Sequence, residues 1–494
     1  MKSGRGPVSL GTIVHLCIGL FGVQIVWGLQ NANTSRLFQS FGADVGQLPV
    51  LWIAGPATGA LVQPIVGYLS DRTRSRWGRR RPFVVVGALL ASAALALFVH
   101  ASSLAIAAVL LWLLCIGANL AMEPLRALTG DLVPENQRNR AFALQAAFIA
   151  AGAVVSSALP WLLGHGFGIA SQPVNGAVPA SVRLAFWLGA LALLASIGWT
   201  VAFVDETSRE ASFPGQTAPR VARPAAGRLL LRGAVWLGGA AAGAFLSRML
   251  GLRPELYVLA AFAALYGLSQ LGLGVLARWG KHPAGLLQIT EDIIWMPAEM
   301  KRLAVVQFFT WLGLFSLWVY TVPALAEHRF GSHDPTSPYF HEAADWAGLL
   351  FAMYNGFAVA AAPLVSRASA RWGRHFTHGA CLAIGALGIL GLVTGKPQAL
   401  PWLPSMAIGV AWSSILSLPY AIVASASPAS KMGVNMGIHN LFLVVPQLVG
   451  AVILGPLLDI ALGGSAVGAL KFAAVLFAAG ALSSISLGAF RSKR

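Results

Sequence analysis

The sequence predicts an all-α membrane protein made of two six-helix bundles with a two-helix hairpin inserted between them. Three observations carry that prediction. Of 494 residues, 57% are hydrophobic and 10% charged, with a mean hydropathy of +0.71, too apolar for a soluble domain of any size. Fourteen apolar runs are long enough to cross about 30 Å of hydrocarbon, which takes roughly 20 helical residues. Finally, RTRSRWGR at Arg72 to Arg79 returns as RASARWGR at Arg367 to Arg374, 295 residues later and again after the second run of its half.

The first bundle, 1–204, takes runs near 11–31, 47–69, 83–101, 104–130, 141–165 and 183–204. A polar segment, 205–228, follows as a cytoplasmic loop. The hairpin, 229–277, has runs near 229–250 and 254–277 around the turn Arg253-Pro254-Glu255. Residues 278–302 form a linker, and the amphipathic stretch Leu286 to Leu303, interrupted by Pro297, is expected on the cytoplasmic surface. The second bundle, 303–494, takes runs near 303–325, 346–366, 376–395, 401–424, 433–457 and 468–489. All are expected to be helical, because backbone exposed to lipid must satisfy its own hydrogen bonds.

Lys and Arg number 34 against 17 Asp and Glu, a net charge of +17. With the N-terminus inside, 26 of the 34 fall on the cytoplasmic side, as the positive-inside rule requires. The charge therefore belongs to a membrane face and does not imply nucleic acid. Both termini are expected in the cytoplasm of a multi-pass protein of the plasma membrane or a bacterial inner membrane. The first run, behind Lys2 and Arg5, is read as a retained span because its apolar core is longer than a secretory signal's and no convincing small-residue cleavage site follows. Cys17, Cys115 and Cys381 lie inside apolar runs without metal or disulfide spacing. No nucleophile elbow, phosphate loop or HExxH pattern is present, so neither an enzyme nor a cofactor or metal is expected.

Four stretches carry a family resemblance: GVQIVWGLQ at Gly22 to Gln30, LVQPIVGYLSDRTRSRWGRRRPF at Leu61 to Phe83, RALTGDL at Arg126 to Leu132 and HNLFLVVPQLV at His439 to Val449. They resemble the plant sucrose:proton symporters and the related animal proton-coupled sugar transporters and bacterial homologues. That group lies within the major facilitator superfamily, near the glycoside-pentoside-hexuronide cation symporters. The resemblance implies the major facilitator fold and a site between the two halves near the bilayer midplane. The hairpin is absent from the plant pattern.

The loop Gly67 to Arg80 fits that superfamily's gating signature through Gly67, Asp71, Arg72, Gly78, Arg79 and Arg80. Glycine there permits close packing, and Asp71 can pair with Arg79 and Arg80 or meet the N-terminus of a neighbouring helix. The fourth run contains Glu123, Arg126 and Asp131. A charge at mid-bilayer costs about 2.5–3.5 kcal/mol on insertion scales, so each should face a wet cavity or a partner. Asp131 lies about 140° around the helix from Arg126, and Arg140 is its expected partner. The resemblance implies that Asp131 is the proton-coupling carboxylate with Arg140 tuning it. Glu123 departs from the plant pattern and is either a rival carrier or simply the neutraliser of Arg126 at i, i+3.

Sodium-coupled relatives place carboxylates in the second span, where Gly59 and Gln63 stand here. A sodium site needs hard, usually anionic oxygen ligands, so a proton is the expected coupling ion. Sugar recognition needs planar polar groups that bridge hydroxyls and aromatic faces for the ring. The candidates are Gln24, Trp27, Gln30, Asn31, Asn119, Arg126, Gln307, Trp311, Tyr354, Asn355, Asn440 and Gln447. About half of such intramembrane amides are expected to be helix-to-helix links. The expected function is proton-coupled import of a disaccharide such as sucrose or maltose by a monomer whose other partners are membrane lipids. The rival readings are a lipid or glycolipid flippase, a membrane-embedded glycosyltransferase, and a sugar exporter or facilitator without proton coupling.

Overall fold

The structure is a computed structural model that describes residues 8–73, 75–173, 178–206, 226–249, 251, 256–280, 286–395, 402–427 and 432–491. Among them it is all helix, and fourteen helices are long and apolar enough to cross a membrane. The first bundle comprises α1 (Leu10–Ser40), α2 (Leu48–Leu51) with α3 (Ala54–Arg72), α4 (Arg81–Phe98), α5 (Leu104–Leu132), α6 (Glu135–Trp161) and α7 (Ala180–Phe203). The hairpin is α8 (Ala226–Met249) and α9 (Leu256–Arg278), followed by a short α10 (Leu286–Ile294). The second bundle is α11 (Ala298–Phe330), α12 (Pro338–Trp372), α13 (Arg374–Thr394), α14 (Trp402–Ala426), α15 (Met432–Ala461) and α16 (Ala466–Arg491).

The two bundles repeat one packing scheme. In the first, α1 packs on α7, α4 on α5 and α7, and α3 on α5; in the second, α11 packs on α16, α13 on α14 and α16, and α12 on α14. Small residues let these helices approach. A Cβ at Gly87 of α4 would stand 2.6 Å from the Gly117 carbonyl of α5, the close backbone approach that membrane bundles use in place of a hydrophobic driving force. The RxxxRWGR repeat ends each second span identically: Gly78 has φ +100° and Gly373 φ +83°, a region open to glycine and strained for other residues. Between the bundles α6 meets α12, α1 meets α11 and α12, and α15 meets α2 and α3. The hairpin touches the rest through α9, on α10 and α15.

Helix ends differ from the apolar runs in an instructive way. α11 and α12 have 33 and 35 residues, about 50 Å at 1.5 Å per residue, well beyond the hydrocarbon thickness. Hydropathy finds only the part in lipid, whereas the helices continue through His328, Arg329, His341 and Asp345. The second span is broken, with a 3-10 turn at Val45–Gln47 and α2 preceding α3. Pro297, with ψ 145°, caps α11 rather than interrupting a surface helix, so the end of the expected amphipathic stretch is the first turn of α11. Gly67 is also unlike its expectation, since a Cβ there would find nothing within 4 Å and the glycine is not needed for packing.

Candidate functional site

A cavity of about 310 Å³ lies between the bundles, within the range of small-molecule sites. α1 contributes Gln24, Trp27, Gln30 and Asn31; α5 contributes Asn119 and Arg126. From the second bundle come Trp311, Tyr354, Asn355, Asn440 and Gln447. Of the residues singled out for sugar recognition, the structure thus brings eleven to one cavity. Gln307 is the exception. It is wholly buried one turn before Trp311 and does not line the cavity.

Amides span the cavity from one bundle to the other. The Asn440 Nδ2 donates to Gln63 Oε1 at 2.9 Å, Gln63 Nε2 to Asn119 Oδ1 at 2.7 Å, and Asn119 Nδ2 to Thr58 Oγ1 at 3.0 Å. On the second-bundle side Trp311, Trp318 and Trp412 stand edge-to-face, with centroids 6.1–6.2 Å apart. Trp318 Nε1 donates to the Tyr354 hydroxyl at 3.2 Å and Trp412 Nε1 to Asn355 Oδ1 at 3.1 Å. Trp27 Nε1, Gln30 Oε1 and Trp311 Nε1 have no hydrogen-bond partner among the described residues. The wall therefore offers aromatic faces and bidentate amides, and among the described residues its lining includes no carboxylate.

The cavity opens towards the end of the bundle that carries the Arg-rich loop, called here the basic face. There Arg126 has a half-exposed side chain, and Leu416 and Tyr420 are 51% and 39% exposed. At the opposite end the lining residues Gln30, Trp52 and Phe315 are buried. The seam at that opposite face is closed by Ser35 Oγ, which donates to Val319 O at 2.7 Å and accepts from Trp52 Nε1 at 3.0 Å. At Gly348 of α12 a Cβ would stand 2.6 Å from Ser157 O of α6, so closure there needs a glycine.

α5 brings its charges to two places. Pro124 removes the amide hydrogen that would bond the Leu120 carbonyl, and beside this interruption Glu123 and Arg126 form a loose pair at 3.9 Å. Asp131 ends the helix at the basic face, where its Oδ2 accepts from Arg79 Nη2 at 2.8 Å and Arg80 Nε at 2.6 Å. Arg140 is not the partner: its side chain is exposed, and among the described residues no ion pair joins the two. In this structure Arg79 and Arg80, which flank the Gly78 turn, occupy Asp131 Oδ2 instead.

Glu206, which the sequence reading missed, completes this latch. It is 6% exposed and accepts from the Arg80 N–H at 3.0 Å and the Arg81 N–H at 3.3 Å, with Arg79 Nε 3.8 Å away. A carboxylate at the N-terminus of α4 satisfies helix-end donors and meets the positive end of the dipole. Gly78 makes room, since a Cβ there would lie 2.2 Å from Glu206 Oε2. The side chains of Asp71 and Arg72 lie outside the described residues. Also missed were Gln63, read only for the carboxylate it lacks, and Trp318, which the spacing of two turns from Trp311 could have found. Trp412, inside the apolar run 401–424, could have been found in the same way as Trp311.

Residues 16–290 match the model of the Major Facilitator Superfamily, over half the chain. Among curated proteins the chain is similar to the sucrose transport protein SUC4 of Arabidopsis thaliana, 24% identical across 92% of this chain and 85% of that one. It is also similar to the general alpha-glucoside permease of Schizosaccharomyces pombe, 32% identical across 31% of this chain and 30% of that protein. Among solved structures, that of the POT family transporter PepTSo superposes with a TM-score of 0.68 at 15% identity, over 99% of both chains.

Proposed function

Because the chain belongs to the Major Facilitator Superfamily, we propose that it is a proton-coupled symporter importing a disaccharide, sucrose, maltose or a related α-glucoside, by alternating access between its two bundles. The observation that carries this reading is the cavity wall. An aromatic face can stack on the apolar side of a pyranose, and amides that donate and accept together bridge vicinal hydroxyls. A lipid-flipping cavity would be apolar and open to the side. Similarity to sucrose transport proteins and to an alpha-glucoside permease supports the same substrate class.

On this reading 1–204 and 303–494 are the moving halves, the hairpin 229–277 is peripheral, and the basic face is cytoplasmic, as the positive-inside rule favours. The present conformation is then inward-open, with its outer seam closed. Asp131 is the coupling carboxylate. Held ionised between Arg79 and Arg80, it has released its proton to the cytoplasm; when the basic face closes and the arginines withdraw, it is free to take another. Sugar binding replaces the Asn440–Gln63–Asn119 hydrogen bonds, which links occupancy to the relative position of the halves. At about 2.3 kcal/mol per charge per 100 mV, one proton per sugar supports roughly fifty-fold accumulation.

Glu123 is the second reading for the carrier, favoured by its loose pairing with Arg126, which lines the cavity. Sugar binding is tested by tryptophan fluorescence of the purified protein titrated with sucrose, maltose and lactose. Quenching by an α-glucoside that disappears in Trp412→Phe with Asn119→Leu supports the site. Saturable quenching that survives both substitutions places the sugar elsewhere.

A further inference from the structure

Among the described residues Arg36 is the largest wholly buried side chain, and neither the cavity nor the latch uses it. It leaves α1 at the face opposite the basic one and crosses the seam into the second bundle. Nη1 lies 2.6 Å from Asp345 Oδ1 of α12, and the two side chains are 1% and 0% exposed. Nε donates to His341 Nδ1 at 3.2 Å, and Nη2 donates to the Ser171 carbonyl at 3.3 Å. A ring nitrogen that accepts from a guanidinium carries no proton, so His341 is neutral here. Asp345 Oδ2 has no partner among the described residues.

This is an unusual way to close a seam. Ser35, Trp52 and Gly348 already close it without charge, and burying an ion pair brings little net stability, while breaking one by removing a partner is strongly unfavourable. The pair therefore contributes a condition rather than strength: the seam closes only while Asp345 is ionised. With Asp345 protonated, Arg36 would be a buried cation facing a neutral acid.

Resting on the topology proposed above, we propose that Arg36, Asp345 and His341 form the external clasp of the transporter, and that a proton arriving from outside at Asp345 opens it. An O–H bond forms on Oδ2 as the ion pair with Arg36 breaks, and loss of that proton lets the pair re-form. External acid thereby selects the outward-open state, so the cycle has a second titrating carboxylate beside the one at the basic face.

The other charged or titratable groups at this end on α12, α11 and the turn after α6, which pack together here, are the following. On α12, Glu342 lies 3.6 Å from His165 of the turn after α6. In the α11–α12 loop, Asp334 is held below the usual carboxylate range by the hydroxyl and N–H of Thr336. α11 brings Tyr320, and beyond it Glu327, which Ser465 and Val467 engage, His328 on the Gly395 carbonyl, and Arg329 over Trp346. Those ends of α13 and α14 carry no titratable side chain.

The test reads opening of the seam without any sugar. Ser35→Cys places a thiol in the seam, and the native Cys17, Cys115 and Cys381 are buried. The full-length variant in oriented proteoliposomes is labelled with a membrane-impermeant maleimide applied at the face opposite the basic loop, the internal pH being clamped. Lowering the external pH from about 7.5 to about 5.5 should raise the labelling rate roughly tenfold or more for a single proton. Asp345→Asn should label fast at every pH. Arg36→Gln with Asp345→Asn, which leaves two neutral amides able to bond, should label slowly at every pH. His341→Gln, which keeps an acceptor for Arg36, should retain the pH dependence.

A parent rate indifferent to external pH overturns the proposal. So does slow labelling of Asp345→Asn, with the conservative Asp345→Glu confirming that the protein is folded, and so does pH dependence that survives Asp345→Asn but vanishes in His341→Gln. Labelling confined to the basic side contradicts the topology, and with it the import reading. Failure of sugar binding alone leaves the clasp measurement standing, so the two proposals fail separately.

Discussion

Asp131→Asn removes one negative charge and almost no volume. In the structure it converts two charge-assisted hydrogen bonds, from Arg79 at 2.8 Å and Arg80 at 2.6 Å, into neutral-acceptor ones. Bonds to charged groups contribute about 1.5–3 kcal/mol and neutral ones about 0.5–1.5, so the latch weakens by about 2 kcal/mol, roughly thirtyfold in the latched-to-unlatched ratio. Asn does not titrate, so coupling is lost altogether. The assay compares accumulation of labelled sugar driven by an imposed pH gradient with counterflow exchange at equal pH, in the same proteoliposomes. The expected result is no accumulation but measurable exchange, with Glu123→Gln retaining most of both. If Asp131→Asn still concentrates sugar and Glu123→Gln does not, Asp131 is a structural latch and Glu123 the carrier.

Three further outcomes are expected. Glu206→Gln keeps the shape of the cap on α4 but loses its charge, and should lower thermal stability by about 1 kcal/mol, the usual worth of a helix cap, read as a Tm shift in detergent; an unchanged Tm would show that the Arg80 and Arg81 amides find other partners. Asn119→Leu leaves Gln63 and Thr58 with unmet bonds and should weaken sugar binding by about tenfold or more, at about 1–3 kcal/mol for a buried group left unsatisfied; full affinity in a fluorescence titration would remove Asn119 from the site. Gly348→Leu cannot fit against Ser157 O and should hold the face opposite the basic loop open, seen as faster external labelling of Ser35→Cys; slow labelling would mean that the seam does not close through α6 and α12.

The sequence made the helices legible because lipid imposes one rule on every span, and the runs of Leu, Val, Ala and Ile obey it. It was silent where a helix outlasts the bilayer. Arg36 and Asp345 sit in the helical ends that hydropathy assigns to loops, so their pairing across 309 positions had no local signal. The cavity was largely legible because a Gln, Asn or Trp inside an apolar run is conspicuous, yet conspicuousness does not distinguish Trp311, which lines the wall, from Gln307, which is wholly buried away from it. The latch was half legible. Its glycine and arginines stand together in one motif, whereas the carboxylates that receive them, Asp131 and Glu206, come from 51 and 126 positions away. Arg79 and Arg80 reach Asp131 from beside the Gly78 turn, a pairing that the linear order does not show.

The central claim is that this chain moves a sugar with a proton, and uptake into proteoliposomes tests it most directly. A panel of labelled disaccharides is offered under an inward pH gradient, an inward sodium gradient, or neither. The account predicts that sucrose or maltose accumulates above equilibrium under the pH gradient alone, and that a protonophore abolishes it. Accumulation that follows sodium, or uptake that only equilibrates under every gradient, would contradict it.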